Sequence, residues 1–300
     1  MRWLGWPTMM HEGEVRTDIE QVRRLVAAQF PQWAGMPVSA VPATGTDHAL
    51  YRIGDELVAR LPRIDWALGQ AESDRRWLPF LAPQLPLAVP VPLGVGEPGE
   101  GYPWAWSVVP WLPGENPTSD NVDLEAAAVG LAGFVTALRS ADPTGGPVKT
   151  AQDRGVPLAA RDELTRAAIA ELGNRVDAAR VTAVWEEALT ADAWTGPAVW
   201  IHGDLLSGNV LVDGRRLSAV IDFGALGLGD PAADVVPAWT IFDKASRPVF
   251  REALDCDEAM WQRGRGWALS TALVALPYYW DTAPHIVAEA QRRIAAVIEG

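Results

Sequence analysis

Residues 200–224 read WIHGDLLSGNVLVDGRRLSAVIDFG, and no other stretch limits the fold of this chain as tightly. Three short β-rich runs, at 199–201, 210–212 and 219–221, alternate with polar loops. Asp213-Gly214 is ordinary turn chemistry and folds the second and third runs into a hairpin. That hairpin brings Asp204, Asn209 and Asp222 to one end of a small ribbon. Turn preference accounts for Asp213. It gives no reason for two further acids, one just beyond the first run and one at the exit of the third.

Hard oxygen donors suggest a purpose. Mg2+ takes one or two carboxylates together with phosphate oxygens and water, instead of a full protein cage. Asn209 and Asp222 supply such a pair. Asp204 stands beside them, not needed as a ligand and free to accept a proton from a hydroxyl. Phosphoryl transfer requires a metal on the phosphates, a positioned acceptor and a base.

The remaining sequence divides around this stretch. Thr17-Asp-Ile-Glu20 is a capping-box pattern ahead of a helix at about 18–30. Runs at 49–53 and 57–61, separated by Gly54-Asp55-Glu56, predict a hairpin. A helical period follows through Leu68, Ala71, Arg75 and Leu78, and it stops by Pro83 and Pro86. Short strands among Pro and Gly continue to Leu112. The turn-rich PGENPTSDN at 113–121 looks like a hinge. Beyond it helical patterns dominate, at 122–139, 159–172, 178–189, 235–242, 248–254, 257–276 and 284–298. The expectation is an α+β chain with a β-rich lobe over 1–109, a linker over 110–121 and a helical lobe over 122–300 that carries the ribbon.

HGDLxxGNxL followed by IDFG resembles the aminoglycoside phosphotransferase family, a branch of the protein-kinase-like two-lobe fold. The resemblance runs from about Thr44 to the C-terminus. It implies Asp204 as catalytic base, Asn209 and Asp222 as Mg2+ ligands, and ATP or GTP as donor. His202 and Asp234, in GDPAAD, would brace the loop, and Ser207 would touch a phosphate. Kinase-like enzymes grip the donor phosphates with a strand cation paired to a helix acid. Lys149 and Lys244 lie outside the first lobe, so Arg60 takes that place, with Glu72 as partner or, second, Asp74. Residues 44–48, TGTDH, replace the glycine-rich loop; Thr46 would face the nucleotide, and His48 reads as a loop donor or bystander. The Pro110 carbonyl and the Leu112 N–H would hold the purine edge. The acceptor would meet the helical lobe at Trp280 and Asp281. An aminoglycoside is the expected acceptor, with a macrolide or a homoserine- or choline-type alcohol as alternatives, and a non-catalytic nucleotide binder as the rival class.

Composition removes other classes. Net charge is −13 and no dense basic block occurs, which argues against nucleic acid and mildly favours a cationic or polar small molecule. There are four His without H-x-H or H-E-x-x-H spacing, and no G-x-S-x-G, so metallohydrolase and serine hydrolase patterns are missing. The single Cys256 excludes an intrachain disulfide and reads as a spectator thiol. No secretion-signal pattern opens the chain, and the apolar run at 267–280 is too interrupted to span a bilayer. A cytoplasmic protein is expected. Most of the 15 Trp read as packing residues.

Overall fold

The computed structural model describes residues 11, 13–42, 45–151 and 153–300. Helix α1 (Ile19–Gln29) is capped by Asp18, whose side chain accepts from the Gln21 N–H at 2.7 Å. The cap lies one residue later than the capping box suggests, because the Thr17 hydroxyl bonds the Tyr51 phenol instead. Strands β1 (Val38–Ala40), β2 (His48–Ile53), β3 (Leu57–Pro62), β4 (Gly94–Gly96) and β5 (Trp106–Pro110) form a five-stranded antiparallel sheet, ordered β1-β2-β3-β5-β4. Val22, Leu25 and Val26 of α1 pack with Tyr51, Leu61, Trp106 and Val108 of the sheet into one apolar core. Helix α2 (Gln70–Leu81) follows β3 after a single 3-10 turn at Asp65–Ala67. It turns Leu78 and Leu81 toward a second, larger core.

That larger core belongs to the helical part of the chain. It gathers α3 (Leu124–Ser140), α4 (Asp162–Leu172), α5 (Ala178–Thr190), α6 (Pro237–Thr240), α7 (Ser246–Ala253), α8 (Glu258–Tyr279) and α9 (Pro284–Glu299). Helix α8 is buried along most of its length through Trp267, Leu269, Ala272 and Leu273. Two expected helices start differently. The 159–172 pattern opens with a 3-10 turn at Leu158–Arg161, and the expected 235–242 helix is reduced to the short α6, which starts at Pro237 just after a 3-10 turn at Pro231–Val235, since proline cannot donate to the preceding turn. No helix among the described residues is long and apolar enough to cross a membrane.

Two small antiparallel pairs sit where the lobes meet. β6 (Val199–Ile201) pairs with β9 (Gly227–Gly229), and β7 (Val210–Asp213) pairs with β8 (Arg216–Val220). The β7–β8 ribbon is flanked on both edges by chain that crosses between the lobes. On the β7 side, Glu115 exchanges backbone hydrogen bonds with Val212 at 3.0 and 2.8 Å. On the β8 side, Ala88 does the same with Ser218 and Val220 at 3.2 and 3.0 Å.

Candidate active site

The loop after β6 is held from below. Asp234, 1% exposed, accepts from the backbone N–H groups of His202 at 2.8 Å and Gly203 at 2.7 Å. Its burial pushes the carboxyl pKa up, against the pull of His202 and of those two N–H groups. Gly203 sits at φ +76°, and a Cβ there would meet the Ala225 carbonyl at 2.7 Å, so only glycine fits between His202 and Asp204. The His202 ring is buried against Phe223. Its Nδ1 accepts from the Asp204 N–H at 3.2 Å, which assigns Nε2 as the donor to the Ile221 carbonyl at 3.1 Å. One imidazole thus joins the loop of Asp204 to the residue before Asp222.

Asn209 fixes the other end of the loop. Its amide nitrogen donates to the Asp204 carbonyl at 2.8 Å and to Asp204 Oδ2 at 3.2 Å. Its backbone carbonyl accepts from the Ile221 N–H at 2.9 Å. The strand β8 then delivers Asp222 with φ 63° and ψ 73°, a left-handed conformation that costs a non-glycine residue about 1–2 kcal/mol. Asp222 Oδ1 accepts from Arg60 Nη2 at 3.0 Å and from Gln70 Nε2 at 3.2 Å. Its place between the lobes desolvates the carboxyl and would raise its pKa, but Arg60 and the other donors outweigh this and hold it below the ordinary value.

Arg60 is buried on β3 and also donates to Asp74 Oδ2 at 3.3 Å. The helix partner is therefore Asp74 and not Glu72. Helix phase explains the correction: Gln70, Ala71, Asp74, Leu78 and Leu81 share the inward face of α2, and Glu72 points into solvent. Burial raises the Asp74 pKa to about 7, with Arg60 opposing. His48, at the start of β2, is driven down to about 3 by burial and by Arg60.

Two cavities meet at Asp222. One, of about 250 Å³, lies between the sheet and the ribbon. Val41, Leu50 and Val58 line it from above, Leu211 and Ile221 from below, and Thr46, Arg60, Asn209 and Asp222 at its polar end. Pro110 and Leu112 lie on its wall, while the Trp111 N–H between them turns away to the Glu56 carbonyl at 2.7 Å. The other, of about 350 Å³, begins at Asp222 and runs past Asp204, with Asp47, Trp66, Gln70 and Arg154 around it. Arg154, which nothing in its local sequence marks, forms an ion pair with Asp204 Oδ1 and lies 3.4 Å from the Gly203 carbonyl.

Other expected residues fall elsewhere. Ser207 opens a 3-10 turn and lines neither cavity; its neighbours Gly208 and Asn209 line the first. Thr44 lies outside the described residues, but the Thr46 hydroxyl donates to Asp47 at 2.7 Å and its carbonyl contacts His11. Trp280 packs on the helical core beneath the Arg175 guanidinium, 4.5 Å from it, and Asp281 is exposed; neither lines a cavity described above. The end of α8 still reaches the other lobe, because Tyr278 bonds His11 at 2.8 Å and both meet Trp66 edge-on. Cys256 is buried, which pushes its thiol up to about 12 and removes it from nucleophilic chemistry.

Residues 40–267 match the model of a phosphotransferase enzyme family. No curated protein matches the chain in sequence. Among solved structures, the GDP complex of aminoglycoside 2'-phosphotransferase-IIIa superposes with a TM-score of 0.72 at 16% identity, covering 93% of this chain and 99% of that one. The gentamicin complex of APH(2")-IIa gives 0.60 at 17% identity over 95% and 99%. The macrolide 2'-phosphotransferase MphH from Brachybacterium faecium gives 0.61 at 23% identity over 93% and 97%. These likenesses share the two-lobe, kinase-like α+β architecture expected from the sequence.

Proposed function

Since the chain belongs to the phosphotransferase enzyme family, we propose that it moves the γ-phosphoryl group of ATP or GTP onto a hydroxyl of a small molecule, with an aminoglycoside as acceptor. The observation that carries this reading is the junction of two cavities at Asp222, one walled by apolar residues of both lobes and the other passing Asp204. The nucleotide base occupies the slot between Val58 and Leu211, with its edge on the Pro110 and Leu112 backbone. Arg60 holds the phosphate end, and Asp204 takes the proton of the acceptor hydroxyl as that oxygen attacks in line. His202 and Asp234 keep the Asp204 backbone in place, so the base needs little rearrangement at the moment of transfer.

Mg2+ fits the donors present. The Asn209 nitrogen is engaged with Asp204, which leaves its oxygen as the ligand atom beside the Asp222 carboxylate. When bound there, the ion neutralises phosphate charge. An aminoglycoside acceptor is supported by the likeness to enzymes whose structures hold GDP or gentamicin and by the acidic net charge of −13. A macrolide is the second reading, on the likeness to the macrolide enzyme. A cytoplasmic location accords with dependence on a nucleoside triphosphate.

The test is turnover of the purified chain with Mg2+ and ATP or GTP against a panel of aminoglycosides and macrolides, read as diphosphate release and as phosphorylated product by mass spectrometry. Asp204→Asn should lower kcat on the order of 10³-fold, the usual scale for a general base, while nucleotide still binds. Unchanged turnover in that variant refutes the assignment.

A further inference from the structure

The catalytic loop itself brings no positive charge to the reacting centre. Between Asp204 and Asn209 it reads DLLSGN, without Lys or Arg. Among the described residues that line the two cavities, the Lys and Arg side chains are Arg60 and Arg154. Arg60 is buried and already bridges Asp74 and Asp222. Arg154 is different. Its side chain is 36% exposed, it stands on the acceptor side of Asp222, and its ion-pair partner is the proposed base itself.

In this arrangement both oxygens of Asp204 are occupied. Oδ1 is buried under the Arg154 guanidinium, and Oδ2 accepts from Asn209. A hydroxyl can reach Oδ1 only if the guanidinium moves. The backbone behind it does not need to follow. Gly155, at φ +94° with no room for a Cβ beside Ile201, has its carbonyl fixed by the Asp230 N–H at 2.7 Å. The long side chain is thus a swinging arm on a fixed mount. On the phosphotransferase reading the moving phosphoryl group passes between Asp222 and Asp204, and so brings a further anion into the cavity that Arg154 lines.

We propose that Arg154 is a catalytic residue of the phosphoryl transfer: its guanidinium leaves Asp204 and takes up the equatorial oxygens of the moving group. The exchange uncovers the base and supplies charge at one stroke. In the step, the acceptor hydroxyl gives its proton to the Asp204 carboxylate, and its oxygen forms the new bond to the γ-phosphorus. The bond from that phosphorus to the bridging oxygen breaks, and the nucleoside diphosphate leaves with the electron pair. Arg154 stays protonated throughout and contributes only charge and two N–H donors, as a planar fork does on phosphate. A cation in this role raises turnover by about 10³-fold or more in other phosphoryl-transfer enzymes.

The inference rests on the phosphotransferase reading, and the experiment separates the two. Binding of ADP or GDP, whichever is tighter, is measured with Mg2+, with and without aluminium fluoride, which mimics the planar phosphoryl group. In the wild type, aluminium fluoride should tighten diphosphate binding by about 100-fold or more, as transition-state mimics do. Arg154→Ala should lose that enhancement while binding the diphosphate alone within about twofold of wild type. Arg154→Lys, which keeps the charge and the pairing with Asp204, should retain part of it. Full enhancement in Arg154→Ala overturns the role of Arg154 and leaves the phosphotransferase reading standing. Faster turnover in that variant also overturns it, since a residue that only covers the base would act so. No diphosphate binding or no enhancement in the wild type removes the phosphotransferase reading and Arg154 with it.

Discussion

Removing the Asp234 carboxylate tests how far the loop that carries Asp204 depends on a single buried support. Asp234→Ala deletes the acceptor for two backbone N–H groups, on His202 at 2.8 Å and Gly203 at 2.7 Å. Each buried donor left without a partner costs about 1–3 kcal/mol, so the pair gives about 2–6 kcal/mol. An opposing term exists. The raised pKa of Asp234 shows that its own ionised form is unfavourably desolvated, and deletion relieves that. The expected loss therefore falls in the lower half of the range, about 3 kcal/mol, a large fraction of the 5–15 kcal/mol typical of a domain. Urea unfolding should show a lower midpoint with an unchanged slope, because no additional surface is exposed. Turnover should fall more than nucleotide affinity, since Asp204 is the residue next along the released backbone. A midpoint equivalent to less than about 0.5 kcal/mol of loss, together with unchanged kcat, would refute the claim that Asp234 holds the loop.

Other expectations follow from the same geometry. Asp74, raised to about 7 in the folded chain against 3.8 in the reference state, contributes stability below pH 4 that is lost as pH rises through 7. Wild type should therefore gain stability relative to Asp74→Asn as pH falls from about 8 to about 5 in paired denaturant melts; a difference independent of pH contradicts this. Gly203→Ala places a Cβ 2.7 Å from the Ala225 carbonyl at a positive φ, and should cost at least about 1–2 kcal/mol and most of the activity; wild-type kcat and midpoint would show that the loop tolerates a side chain. Asp222→Asn should weaken Mg2+-dependent diphosphate binding, read by calorimetry with and without the metal, and an unaltered metal dependence would argue against its role as ligand.

Much of the site was legible because its residues are close in sequence. A loop, a two-residue turn and a strand fix the relative positions of His202, Asp204, Asn209 and Asp222, so spacing carried nearly the whole geometry. The choice between Glu72 and Asp74 needed the phase of a helix whose start was blurred by the 3-10 turn at Asp65–Ala67, and a two-residue difference turns a side chain to the opposite face. Arg154 gave no local signal at all. It reaches Asp204 only because chain between α3 and α4 folds back under β9, where the Lys149 N–H bonds Leu228 and the Gly155 carbonyl bonds Asp230. Trp280 and Asp281 rest on the family resemblance and on their place near a turn between two helices, and neither says which way a side chain faces once α8 and α9 pack together.

The two crossings that flank the β7–β8 ribbon have a mechanical consequence. Glu115 and Ala88 are sewn to opposite edges of the same ribbon, so they act as a pair of door hinges whose pins lie on one line. If the sheet-bearing lobe swings on that line, displacement grows with distance from it. Pro110 to Gly114 lie next to a pin and barely travel. At the other end of the first cavity the Thr46 carbonyl is bridged through His11 to Tyr278 at the end of α8, a link that would have to part before the lobes could open. The Pro110–Gly114 end of the first cavity would keep its shape through the motion, and the opening and shutting would be felt at its polar end and at the mouth of the second cavity.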